Sequence, residues 1–358
     1  MEQARTRRES TRRIGPYRLI TRLDPPGSPA PCRRFVARGE DGRTVLLSTP
    51  LPGADPARFA VEAEAGRHVV GPWLAPVTRV SGPFGGAGAI GGAGAVSGAM
   101  HGAVSGAGAV SGAGAEAVPL PGAVSGAGAG AGVGAGAAPV SSPAPTAPAW
   151  YATPYLPVLP LPVALAVHGG PLPEAVVRGI GVALAETLAA VHAGGLAHAG
   201  VSPAAVLIAA GGPLLSCFGT VRAAGPDGEP HAGLPGIDPG ALAPEQAAGG
   251  RPRPPGDVFA LGAVLAHAAT GHTVPERDEL PDGLRPVVAA CLARDPADRP
   301  TAAALAASLA PPAPAPSLLA PGWLPGRVVA ALARQSAELL AAELPPLPER
   351  AAPGPVPV

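Results

Sequence analysis

Gly200-Val201-Ser202-Pro203-Ala204 has the spacing of a G-x-S-x-G turn. That turn presents a serine nucleophile and uses the next residue's N–H to help hold an oxyanion. Pro203 has no N–H, which argues against a hydrolase. His198 is the one base in the surrounding stretch GLAHAGVSPAAVLI, residues 195–208, which holds no acid and no side-chain amide. The histidines show no H-E-x-x-H spacing, and no Asp/Glu pair forms a recognisable acid–base arrangement. Cys32, Cys217 and Cys291 make no C-x-x-C, so neither a zinc site nor a disulfide framework is expected, and a reducing cytosol suits them. Cys217 would be a reactive thiol if a cation lowered its pKa, and Arg222 is close in sequence. The sequence reading is nonetheless a buried, inert cysteine. GGAGAIGG matches G-x-G-x-x-G at Gly86, Gly88 and Gly91, but no strand leads in and no helix follows. In so glycine-rich a tract that match is expected by chance.

The 358 residues suffice for one large domain or two small ones. Aromatics are only 3% of the chain, so Leu, Val and Ala must build the core. Formal net charge is zero, which gives no global field for nucleic acid or an anionic membrane. There is no lysine; every fixed cation is an arginine. Any mechanism that needs a lysine is therefore excluded. Residues 1–13 read as a basic, solvated tail without the apolar run of a leader, and no window is apolar enough for a membrane span.

The elements that would position any chemistry follow from pattern. Residues 17–23, 33–38 and 43–48 read as strands, the last two joined by the turn GEDG. Residues 56–70 read as a helix, with Pro56 in its first turn and Phe59, Ala63 and His68–Val69 near one face. From 81 to 148 the chain is Gly, Ala, Ser, Val and Pro, and is expected to be a disordered insert, since it cannot bury enough surface to offset its ordering entropy. Residues 174–193 make the clearest helix, with apolar positions three and four apart and Gly194-Gly195 as its stop. Short strands are expected at 206–209 and 213–216. Residues 256–270 are apolar nearly all round, as a helix buried inside a lobe would be. Helices follow at 284–293, 301–309 and 325–343, the last expected to pack on its own domain.

Several stretches carry a resemblance. IGPYRLITRL, GRTVLLS, RFAVEAEAGRHVVGPWLAPV, PLPEAVVRGIGVALAETLAAVHAGGLAH, LAPEQAAGG, GDVFALGAVLAHAATG and CLARDPADRPTAAAL resemble, in this order, segments of the bacterial eukaryotic-like Ser/Thr protein kinases. The resemblance covers most of residues 14–310 outside the insert. It implies an α+β, two-lobe protein-kinase-like fold, with a small β-rich N-lobe and a helical C-lobe. The implied layout is an N-lobe over 14–80, the insert over 81–148, the end of the N-lobe and a hinge over 149–160, and a C-lobe over 161–311. A Pro-rich tail with one helix occupies 312–358.

The family's chemistry needs a glycine-rich loop, a phosphate lysine, a catalytic base and metal ligands. Here the loop reads LDPPGSPAPCRRF, with only Gly27 among its prolines. Ser48 stands at the lysine position, and Glu62 at the helix glutamate that would pair with it. Without that cation Glu62 is expected to be a polar residue on a helix face. In HAGVSPAA, Gly200 stands for the catalytic Asp, Ser202 for the Lys and Ala205 for the Asn; Cys217 stands for the Asp of the magnesium-binding DFG. The resemblance assigns structural roles to His198, to Phe218 between the lobes, to the pair Glu245 and Arg299, and to Asp257 as a brace of the catalytic loop. Cys217 to Glu245 matches the activation segment, yet no hydroxyl lies between Val221 and Glu245. The substrate-docking helix expected near GHTVPERDELPDG looks reduced or missing.

The expectation is a catalytically inactive kinase-like protein, a pseudokinase, serving as a binding or regulatory scaffold in the cytoplasm. It would have a protein partner, no nucleic-acid partner, no metal and no cofactor. The alternative is an atypical Ser/Thr kinase or nucleotide-binding protein with a rearranged site; ATP and magnesium belong only to that reading, and only Arg33, Arg34 or Arg222 could supply the cation.

Overall fold

The computed structural model describes residues 13–81, 148–276, 278–311 and 318–343. The glycine-rich tract expected as an insert lies, at 82–147, outside the described residues, as do residues 1–12, 312–317 and 344–358.

Six strands form an antiparallel sheet: β1 (Arg13–Ile14), β2 (Tyr17–Arg22), β3 (Arg33–Arg38), β4 (Thr44–Thr49), β5 (Arg79–Val80) and β6 (Tyr151–Pro154), in the order β1-β2-β3-β4-β6-β5. β3 and β4 are a hairpin, with Arg34 opposite Ser48 and Val36 opposite Leu46. Cross-strand partners share a face, so Arg34 and Ser48 point the same way. Ser81 and Trp150 close the β5–β6 pair: the Ser81 N–H donates to the Trp150 carbonyl at 2.8 Å and the Trp150 N–H to Ser81 Oγ at 2.6 Å. Residues 81 and 150 are thus hydrogen-bonded neighbours.

Helix α1 (Pro56–Gly66) starts where expected, capped by Asp55, which accepts from the N–H groups of Ala57 and Arg58. It ends four residues short of the expected boundary. The N–H groups of Arg67, His68 and Val69 reach back three residues rather than four, tightening the chain out of the α conformation.

A second sheet of three short strands, β7 (Leu159–Pro160), β8 (Val206–Ala209) and β9 (Gly212–Leu215), opens the helical lobe. Its helices are α2 (Leu161–His168), α3 (Glu174–Ala193), α4 (Thr220–Ala224), α5 (Pro244–Ala247), α6 (Pro254–Thr270), α7 (Arg285–Cys291), α8 (Ala302–Leu309) and α9 (Gly326–Glu343). Helix α2 is absent from the sequence expectations; Pro160 and Pro162 mask the apolar run that forms it. Helix α3 is long and apolar enough to cross a membrane, but it is largely buried as the central helix of this lobe. Its Gly181 lies where a Cβ would meet Leu309 at 2.6 Å and Leu265 at 3.0 Å, so a side chain there would displace those leucines between α3, α6 and α8. Alanines at 263, 266 and 268 on α6 are wholly buried, so small residues let the helices close on one another. Between α6 and α7 the described residues form turns and no helix.

Helix α9 joins the same core through Val328 and Leu332. Its Gln335 side chain accepts from the Val158 N–H at 2.9 Å and donates to the Val158 carbonyl at 3.0 Å. Tyr155 Oη donates to the same amide oxygen at 3.2 Å. The C-terminal helix is thereby fastened to the connection between the two lobes.

Candidate functional site

The loop between α3 and β8 is held from below by Asp257 of α6, which is 1% exposed. Its Oδ2 accepts from the His198 N–H at 2.7 Å and its Oδ1 from the Ala199 N–H at 2.8 Å. His192 Nε2 lies 2.9 Å from Oδ2. These bonds hold Ala199 at φ +53°, a conformation that a non-glycine residue rarely adopts. The His198 ring is fully buried, meets Phe218 edge-on at 5.4 Å, and has no hydrogen-bond partner on either nitrogen. Burial lowers its pKa to about 4, with Asp257 opposing and Arg222 assisting, so the ring is neutral at pH 7.

Gly200 has no room for a side chain. A Cβ there would run into the carbonyl oxygen of Cys217, which is backbone and cannot swing aside. Ser202 Oγ caps the 3-10 turn Pro203–Ala205 by accepting from the Ala205 N–H at 3.3 Å, and Ser216 Oγ donates to the Ala205 carbonyl at 2.7 Å. Ala205 is itself wholly buried. Gly27 occupies a turn closed by the Ser28 N–H on the Pro25 carbonyl; its φ of +78° suits that turn, and nothing lies within 4 Å of its Cβ direction.

Glu62 corrects the sequence reading. It is not a solitary polar residue: Arg222 of α4 donates through Nε to Glu62 Oε2 at 2.8 Å and through Nη1 to the Ala197 carbonyl at 3.1 Å. The same guanidinium lies 4.9 Å over the Phe218 ring. The cation that strand β4 lacks comes instead from the segment after Cys217.

Cys217 is buried, as expected, and it packs against a second cysteine. It adopts φ +65°, and its sulfur is 3.8 Å from Cys32 Sγ, 3.4 Å from Ser216 Oγ and 3.7 Å from Tyr151 Oη. The neighbouring cation is Arg34, not Arg222. Arg34 and Asp24 form a buried ion pair, with Nε to Oδ2 at 3.0 Å and Nη2 on Oδ1; Arg34 is 0% exposed and Asp24 3%. Burial acts to lower the Arg34 pKa, but the bond to Asp24 and the charge near Cys217 raise it. Sequence reasoning missed this pair. The signal was strand parity: Arg34 alternates with the buried Val36 and faces Ser48, so it points inward.

Farther out, Arg299 donates to Glu245 Oε1 at 2.7 Å and Oε2 at 2.9 Å, and also to the carbonyls of Ala293, Arg294 and Pro255. A cavity of about 20 Å³ lies over the catalytic-loop stretch, lined in part by Gly200, Ser202, Thr220 and Asp238.

The β-rich lobe, the helical lobe and the braced loop between them define the protein kinase fold. The kinase domain of Mycobacterium tuberculosis PknI superposes with a TM-score of 0.52 over 83% of this chain and 96% of that domain, at 19% identity. Curated relatives are bacterial serine/threonine-protein kinases. The probable serine/threonine-protein kinase PkwA of Thermomonospora curvata is 31% identical over 320 residues, 83% of this chain and 34% of the relative. The serine/threonine-protein kinase AfsK of Streptomyces coelicolor is 33% identical over 202 residues, 50% of this chain and 25% of the relative. The chain therefore spans about a third of the one and a quarter of the other. No family model matches it.

Magnesium takes hard oxygen ligands. Ala205 offers no side-chain donor and Cys217 offers sulfur. Among the described residues no three His, Cys, Asp or Glu side chains are grouped to hold a metal ion.

Proposed function

We propose that this chain is a catalytically silent kinase-fold module that serves as a binding or regulatory scaffold for a protein partner. The observation that carries the reading is the closure at Gly200, where the Cys217 carbonyl fills the space a catalytic carboxylate would need. A missing base could be supplied by a neighbour; a missing volume could not without moving the backbone. Supporting it, Ser48 is too short to bridge phosphates, and Arg34 turns its charge onto Asp24. The frame, by contrast, is intact at Asp257, Glu245 and Arg299. A partner would meet the lobes or helix α9, where Val329 and Leu340 are exposed. A cytoplasmic location belongs to the same reading, supported by three free, buried cysteines.

The test is incubation of the purified chain with radiolabelled ATP and magnesium or manganese, together with a thermal-shift titration. A ligand at a hundred times its Kd adds about 2.7 kcal/mol and moves Tm by several degrees. The expected result is no label incorporated and no shift. Metal-dependent labelling above a contaminant control would overturn the proposal.

A second reading, an atypical phosphotransferase, is favoured by one feature. Asp238 places a carboxylate on the cavity beside Gly200, Ser202 and Thr220. If labelling occurs and is lost in Asp238→Asn, this reading replaces the first.

A further inference from the structure

Cys32 and Cys217 are 185 positions apart in sequence, and their sulfurs are 3.8 Å apart in the fold. Cys32 ends the proline-rich loop just before β3, in the β-rich lobe. Cys217 follows β9, in the helical lobe. They are 2% and 7% exposed. A disulfide bond is about 2.05 Å long, so the sulfurs need to close by roughly 1.8 Å.

Two small side chains packed in a core could reach the same distance. The groups aimed at Cys217 go beyond packing, because Tyr151 Oη, which donates to its sulfur at 3.7 Å, and the buried Arg34 both favour a thiolate there. The hydrogen bond with Cys32 lowers the Cys217 pKa most; burial opposes it, and Arg34 and Tyr151 act downward with the hydrogen bond. Cys32 is pushed upward by the same hydrogen bond and by burial. One sulfur is thus poised as nucleophile and the other as the thiol that resolves it. Both line a cavity of about 30 Å³ between α1 and the segment after Cys217, together with Phe59, Glu62, Tyr151 and Phe218. That is room for a molecule the size of a small peroxide. Cys291 is the contrast: wholly buried among α6 and α7, with burial raising its pKa to about 12.

We propose that Cys32 and Cys217 form a reversible disulfide, a redox-sensitive staple that ties the proline-rich loop to the helical lobe. The oxidant is a hydroperoxide. The Cys217 thiolate attacks its terminal oxygen, forming a sulfenic acid as the O–O bond breaks, and the leaving alkoxide or hydroxide takes up a proton. Cys32 then attacks the Cys217 sulfur, the S–S bond forms, and the sulfenic oxygen leaves as water with the Cys32 proton. For hydrogen peroxide the balance is two thiols and one peroxide giving one disulfide and two waters. A dithiol reductant restores both thiols by exchange. The staple does not depend on whether the cleft binds nucleotide.

The test uses the full chain, treated with graded hydrogen peroxide. Free thiols are then blocked under denaturing conditions and peptides mapped by mass spectrometry without reduction. The two methionines of the chain report the dose. The expected product is a Cys32–Cys217 linked peptide within a monomer, lighter by two hydrogens and formed before methionine oxidation, with Cys291 still alkylated. The oxidised chain melts several degrees higher, because the bond closes a long loop, and dithiothreitol reverses the shift. In Cys32→Ser, Cys217 proceeds to sulfinic acid instead. Wild-type protein alone decides the matter if that variant does not fold. Cys32 and Cys217 both still alkylated when the methionines are oxidised would overturn the proposal. So would bonds between chains, or bonds to Cys291 in equal yield.

Discussion

Gly200 is where residue identity and backbone geometry act together. Placing the absent carboxylate there should not restore chemistry. Gly200→Asp sets a Cβ against the Cys217 carbonyl, and we expect a loss of about 3 kcal/mol or more in urea unfolding, in the range of overpacked cores, with no phosphotransfer gained. A gain of activity at unchanged stability would show that the loop opens. His198 makes a separate prediction. Its folded pKa is depressed to about 4 from 6.5, so between those values the unfolded chain takes up a proton that the folded one refuses. The stability of the neutral ring is complete above pH 6.5 and is lost as pH falls towards 4, about 3 kcal/mol at 1.36 kcal/mol per unit. His198→Leu should flatten that slope in unfolding measured at pH 7, 6 and 5. A shallower slope remains from His267, whose pKa burial also lowers. An unchanged slope would mean that His198 does not titrate with folding.

At the scale of elements, most helices and strands were legible because apolar periodicity does not depend on distant contacts. Helix α3, helix α6 and the β3–β4 hairpin have the limits expected to within two residues. The misses are short or local: strands β1, β5, β6 and β7, α2 among prolines, the early end of α1, and the small α4 and α5. Such elements gain little from propensity and form because the surrounding fold holds them. Helix α9 was legible as a helix, but its fastening was not. Gln335→Ala leaves the Val158 N–H and carbonyl without their amide partner, and we expect a loss of about 1–3 kcal/mol. Hydrogen exchange at Val158 should accelerate while that at α3 is unchanged. Equal acceleration at both would mean that α9 merely adds to global stability.

For the molecule as a whole, the Arg34–Asp24 pair couples the loop to the sheet beneath it. Asp24→Ala strands a buried guanidinium and should cost about 3–5 kcal/mol, whereas replacing both partners with apolar residues of similar volume should cost far less. Thermal melts of the single and double variants check this, and equal losses would refute it. The double variant also asks whether Arg34 alone keeps nucleotide out: an ATP-dependent shift appearing only there would place the barrier at that side chain. By itself the sequence determined the absence of lysine and the order of the main helices, because these are properties of composition and of short-range period. It could not determine that Arg222 reaches Glu62, that Arg34 turns onto Asp24, or that two cysteines of different lobes meet. The Arg34–Asp24 pair, 10 residues apart, forms within the β-rich lobe, whereas the other two juxtapositions exist only once the lobes meet, bringing together side chains 160 and 185 residues apart. Their charges and acidities are set by the burial and the neighbours that closure creates.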